Sequence, residues 1–100
     1  MDFLTDHIIS IRQLCTRFGV RQLYAFGSVN TGNFRKDSDV DFLVDLGEKD
    51  PLDYSNAYFD LADGLERILD RKVDLVTIAS LQNPYFIRSI EESKRLLYAA

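Results

Sequence analysis

With 100 residues, 46% of them hydrophobic and 28% charged, the chain reads as one globular domain over 1–100 with a single core. Its net charge of −4 leaves no basic stripe to neutralise phosphates, which argues against direct nucleic-acid binding. It has no apolar run of membrane-spanning length and no basic leader, so the expected location is the cytoplasm. In chain order, Leu4, Ile8, Ile11, Cys15 and Phe18 recur at helical spacing, and Gly19 ends that helix. Cys15, the single cysteine, excludes an internal disulfide and is expected as a small buried hydrophobe on the apolar face. Val20 to Phe26 is a short β-like run closed by Gly27, and the polar segment Ser28 to Arg35 forms a turn or short helix.

Val40, Phe42 and Val44 alternate with Asp39, Asp41 and Leu43, the period-two pattern of a strand. Asp50-Pro51 starts the next helix, with Asp50 as N-cap and Tyr54, Tyr58, Leu61, Leu65, Ile68 and Leu69 as its buried stripe. Lys72 to Ile78 is the third strand. Asn83-Pro84 repeats the cap and opens a last helix predicted to run to about Tyr98, with Phe86, Ile87, Ile90 and Leu97 inward. The order helix, strand, turn, strand, helix, strand, helix implies one α/β unit in which a small sheet is covered by helices.

The acidity is concentrated in aspartate, twelve against four glutamates. Asp39 and Asp41 sit two apart at the start of a strand, on one face and roughly 7 Å apart at Cα. Two anions so placed are destabilising unless cations neutralise them, and a pair of Mg²⁺ ions is the usual solution in phosphate chemistry. Asp74 interrupts the β-branched run "KVDLVTI" and supplies a third carboxylate if its strand neighbours the second; the alternative is an ion pair with Arg71 or Lys72. Gly27-Ser28 completes the set, because a glycine at a strand end lets backbone approach a phosphate and Ser28 adds a donor. Asp37, Asp39, Asp41 and Glu48 also match positions of a calcium loop, but Phe42 stands where that loop needs glycine. Asp37 and Asp45 read as caps or turn residues.

Gly27-Ser28, Asp39-x-Asp41 and a later strand Asp74 together resemble the polymerase β-like nucleotidyltransferase superfamily. Size and the ending "NPYFIRSIEESKRLLYAA" are most similar to its minimal nucleotidyltransferases, the MNT proteins. The resemblance implies a palm-like α+β fold, a small mixed β-sheet flanked by helices. It implies two Mg²⁺ ions, ATP as substrate, and nucleotidyl transfer to a hydroxyl. By it, Gly27 and Ser28 contact the nucleotide phosphates, Asp39 and Asp41 hold both metals, and Asp74 holds the catalytic metal and helps deprotonate the acceptor. Many MNT proteins are antitoxins that place AMP on a tyrosine of a HEPN-type ribonuclease toxin, so a HEPN-type partner is expected. Since the nucleotide site occupies nearly all of the chain, the acceptor is expected in trans. One residue departs from the common Gly-Ser-x-Ala-Arg-Gly: Thr31 stands at the arginine position. The competing readings are a nucleotidyltransferase-fold antitoxin that acts by contact alone, and transfer to a small-molecule hydroxyl.

Overall fold

A computed structural model describes residues 3–32 and 34–100; Asn33, within the expected polar turn, lies outside the described residues. Helix α1 (Ile8–Arg17) follows a 3-10 turn and ends at Gly19, whose φ of +67° is the left-handed conformation that glycine tolerates at a helix stop. Strands β1 (Gln22–Phe26) and β2 (Val40–Asp45) come next, then helix α2 (Pro51–Leu69) and strand β3 (Val73–Thr77). As expected, the Asp50 side chain caps α2 by accepting the Asp53 N–H, and Asn83 caps helix α3 (Pro84–Ser93) by accepting from Tyr85 and Phe86.

The predicted last helix is too long. It stops at Ser93, Lys94 is extended, and Arg95–Ala99 forms a fourth strand, β4. Ile90, Lys94 and Leu97 fit a helical face as well as a mixed one, so spacing could not separate the two outcomes. Pairing decides it. β4 lies antiparallel along β1 and satisfies backbone groups that would otherwise form an open edge. Leu97 is buried as expected, but from a strand, and Phe86 is 41% exposed with its ring edge against Phe26.

The sheet runs β3-β2-β1-β4, with β2 antiparallel to β1 and parallel to β3. It is therefore mixed, as the resemblance implied. Val40, Phe42 and Val44 of β2 are fully buried under α1 and α2, together with Ile11, Cys15, Leu61 and Leu65. Burial pushes the Cys15 thiol up to about 12, so it stays a neutral hydrophobe. The opposite face carries a smaller cluster of Phe26, Leu43 and Ile90, which seats α3. The alternation of β2 thus puts Leu43 in that cluster and Asp41, two residues earlier, at its rim. No helix among the described residues is long and apolar enough to cross a membrane.

Candidate active site

The site forms where β1 ends and β2 and β3 begin. Phe26 is paired with Asp41, so the turn after β1 starts beside the Asp41 side chain. Asp41 is in turn paired with Asp74 in the parallel β2–β3 register, which places the two residues on neighbouring strands at one level, roughly 4.8 Å apart. Asp39 lies just ahead of β2 and is exposed, as is Asp74, while Asp41 is half-buried.

Several contacts hold β3 in this register. Tyr58 on α2 donates its hydroxyl to the Leu75 carbonyl at 2.5 Å, and the Glu66 carboxylate accepts the Val73 N–H at 2.9 Å. The Val40 N–H reaches the Lys72 carbonyl at 3.0 Å. The ion pair considered for Asp74 is not what occupies Arg71. That guanidinium stacks on Phe34 at 4.6 Å and Phe3 at 5.2 Å and donates to the Arg35 carbonyl, tying down the loop before β2. Asp45 acts as the expected turn residue, its Oδ1 accepting the Gly47 N–H at 2.8 Å.

Gly27 is required twice over. Its φ is +76°, and a Cβ there would stand 2.6 Å from Asp41 Oδ2. Gly27 opens a 3-10 turn, Gly27–Asn30, closed by the Thr31 N–H and Thr31 hydroxyl, both donating to the Ser28 carbonyl at 3.0 Å. The Gly27 N–H itself is engaged by Ser93 Oγ at 3.0 Å. Gly27 therefore serves the site through its conformation, and Ser28 is the half-buried polar side chain next to it. Gly27→Ala adds left-handed strain of about 1–2 kcal/mol and forces the Asp41 carboxylate aside. The expected result is a melting temperature lowered by several degrees and transfer reduced on the order of 10²-fold, read by calorimetry and by transfer of labelled nucleotide.

Burial pushes the Asp41 carboxyl up to about 6, and the negative charges of Asp74 and Asp39 push it the same way. The chemistry of this donor set, all carboxylate oxygen, fits a hard divalent cation such as Mg²⁺. Among the described residues no three such side chains converge on one point, so closing them around an ion requires side-chain rotation, for which exposed Asp39 and Asp74 have room.

The raised value has a consequence for stability without metal. Between the ordinary carboxylate value of 3.8 and about 6, the folded protein keeps a proton that the unfolded chain releases. That contribution is complete below the unfolded value and is lost as the pH rises through 6. Asp41→Asn should therefore melt with the parent at about pH 4 and above it at about pH 7. After allowing for solvent screening of a half-exposed group the gap is about 1 kcal/mol, or about 5 °C in thermal melts. A gap that closes with rising pH would show that the repulsion has been misassigned.

The sequence points to Asp39, Asp41, Asp74, Gly27 and Ser28 as one set; the strand register sets Asp41 level with Asp74 and with Phe26, which directly precedes Gly27 and Ser28, and Asp39 lies one residue ahead of β2. Sequence reasoning missed Glu66, Asn30 and Ser93, which hold the site's backbone. A glutamate on α2 and a serine at the end of α3 carry no signature until the elements are docked.

Residues 9–97 match the nucleotidyltransferase domain family. Protein adenylyltransferase MntA of Thermococcus cleftensis is 41% identical over 80 residues, which are 80% of this chain and 75% of that protein. A crystal structure of a toxin–antitoxin with AMP-PNP contains a chain that matches with a TM-score of 0.70 at 25% identity, covering 93% of this chain and 73% of its own length. The complex of tri-AMPylated Shewanella oneidensis HEPN toxin with MNT antitoxin has a chain of the same fold, with a TM-score of 0.65 at 22% identity, covering 96% of this chain and 72% of that one. Register, turn and sequence thus agree, and this chain belongs to the nucleotidyltransferase domain family as a minimal nucleotidyltransferase.

Proposed function

We propose that this protein is an MNT-type antitoxin that transfers AMP from ATP to a tyrosine hydroxyl of a HEPN-type toxin, using Asp39, Asp41 and Asp74 with Mg²⁺. The observation that carries the reading is the level pairing of Asp41 with Asp74 beside the Gly27–Asn30 turn. The relatives named as adenylyltransferase and toxin–antitoxin partners support the choice of nucleotide and acceptor.

In this reading Ser28 and the turn hold the triphosphate, and Asp39 and Asp41 hold the cation that accompanies it. Asp74, on the neighbouring strand β3, would hold a second cation and meet the incoming hydroxyl. Mg²⁺ bound there would neutralise phosphate charge and ease loss of the acceptor proton. The acceptor oxygen forms a bond to the α-phosphorus as the bond from that phosphorus to the bridging oxygen breaks. Diphosphate leaves with that electron pair, and the acceptor proton passes to the Asp74 carboxylate. Half-burial of Asp41 keeps this corner of the site partly dry, which strengthens its grip on a cation.

A second reading, neutralisation by contact alone, is favoured by one observation: Thr31, at the arginine position of the common motif, is folded back onto Ser28. Labelled ATP distinguishes the readings. The protein is incubated with Mg²⁺ and either a purified HEPN-type partner or small alcohols such as sugars and aminoglycosides. Label is expected on the partner and sensitive to EDTA. Efficient labelling of a free small alcohol would overturn the choice of acceptor, and absence of any label with a bound partner would establish the contact-only reading.

A further inference from the structure

Asn30 and Ser93 join the turn that follows β1 to the end of α3. Ser93 Oγ accepts the Gly27 N–H at 3.0 Å while donating to the Ser89 carbonyl at 3.3 Å. Asn30 Nδ2 donates to the Ala25 carbonyl at 2.9 Å and to the Ser93 carbonyl at 2.8 Å. Both ends of the Gly27–Asn30 turn are thereby fastened, Gly27 through its backbone and Asn30 through its side chain. Ser28 lies between the two fastenings.

The Asn30 amide is held at a cost. Its Oδ1 is buried and has no hydrogen-bond partner among the described residues, an arrangement that destabilises a folded protein. A small apolar side chain would remove that acceptor but leave the Ala25 and Ser93 carbonyls without the Nδ2 donor. What such a side chain lacks is the two-way donation from Nδ2, which caps an end carbonyl of α3 and ties it to the strand that delivers the turn.

We infer that Asn30 and Ser93 are positioning residues for the nucleotide. They hold the turn in its binding shape before ATP arrives, so that binding does not also have to order it. The inference rests on the nucleotide site proposed above. Neither residue touches the reacting atoms. Their removal should therefore weaken ATP binding more than it slows the chemical step.

The test uses the full chain as parent, Ser93→Ala, Asn30→Ala and the hydroxyl-retaining Ser93→Thr. Amide exchange at Gly27, followed by NMR without nucleotide, is expected to quicken about tenfold in Ser93→Ala and to stay near the parent in Ser93→Thr. Titration with Mg²⁺ and ATP is expected to show affinity about 3–10-fold weaker in both alanine variants, with KM rising in step and kcat within about threefold. Melting of Asn30→Ala should fall by a few degrees, since the Ala25 and Ser93 carbonyls lose their Nδ2 donor while the unpaired Oδ1 goes with the amide. The inference is overturned if KM is unchanged while melting falls, or if Ser93→Thr is as impaired as Ser93→Ala. The exchange measurement needs no ATP, so failure of the nucleotide site would show separately, as a parent that does not bind ATP while Gly27 still responds to Ser93.

Discussion

Asp74→Asn is expected to keep ATP affinity within a few fold of the parent while transfer falls by roughly 10³ or more. The reason is positional. Asp74 belongs to β3 and meets Asp41 from the side, whereas the turn that would hold the triphosphate follows β1 on the other flank of β2. In the proposed site Asp39, just ahead of β2, and Asp41 on it would suffice for the cation that travels with ATP, so docking would not need the third carboxylate, whereas the acceptor hydroxyl would. A positioned base contributes about 10²–10⁴-fold, and a misplaced second cation adds to the loss. The substitution preserves shape and removes a charge that opposes Asp41, so the metal-free variant should melt at or above the parent temperature. Single-turnover transfer with titration of ATP reads both halves, and transfer at the parent rate would make Asp74 a structural residue.

The double variant Asp39→Asn/Asp41→Asn separates the other half of the site. Here ATP binding itself should weaken, by at least about 10²-fold, because removing direct ligands exceeds the 10–100-fold typical of supporting residues. The same variant should be the more stable protein without metal, since it removes the half-buried Asp41 charge and one of the charges that opposes it. Loss of binding joined to a gain in melting temperature distinguishes a ligand site from a structural one. Titration calorimetry with Mg²⁺ and ATP, repeated in EDTA, measures the first, and thermal melts the second. Unchanged Mg²⁺-dependent affinity would remove the metal from the account of these two residues.

The sequence was most informative where chemistry and periodicity conflict. Asp74 breaks an apolar strand run, and Asp39 and Asp41 put two like charges on one face of a strand; conflicts of that kind mark a candidate site through residue types and spacing alone. The caps at Asp50 and Asn83 were legible because Asp-Pro and Asn-Pro satisfy helix starts locally. β4 was not legible. Arg95 to Ala99 pairs with a strand at least 70 residues earlier in the chain, and its pattern fits a helix extension equally well until β1 presents an edge. The Asn30–Ser93 connection failed for the same reason, being a tertiary arrangement of residue types that are ordinary in turns and at helix ends. Gly27 lay between these cases. Its place before Ser28 suggested a turn, but only the register shows that a side chain there would collide with Asp41.

Intact-mass spectrometry of a HEPN-type partner co-expressed with this chain tests the proposal that three carboxylates at one end of the sheet transfer AMP to a partner protein. The partner should gain one or more whole AMP units with the parent chain, located by fragmentation to a tyrosine, and should stay unmodified with Asp74→Asn although the complex still forms. An unmodified partner in the presence of the parent chain, or equal modification by Asp74→Asn, would contradict it.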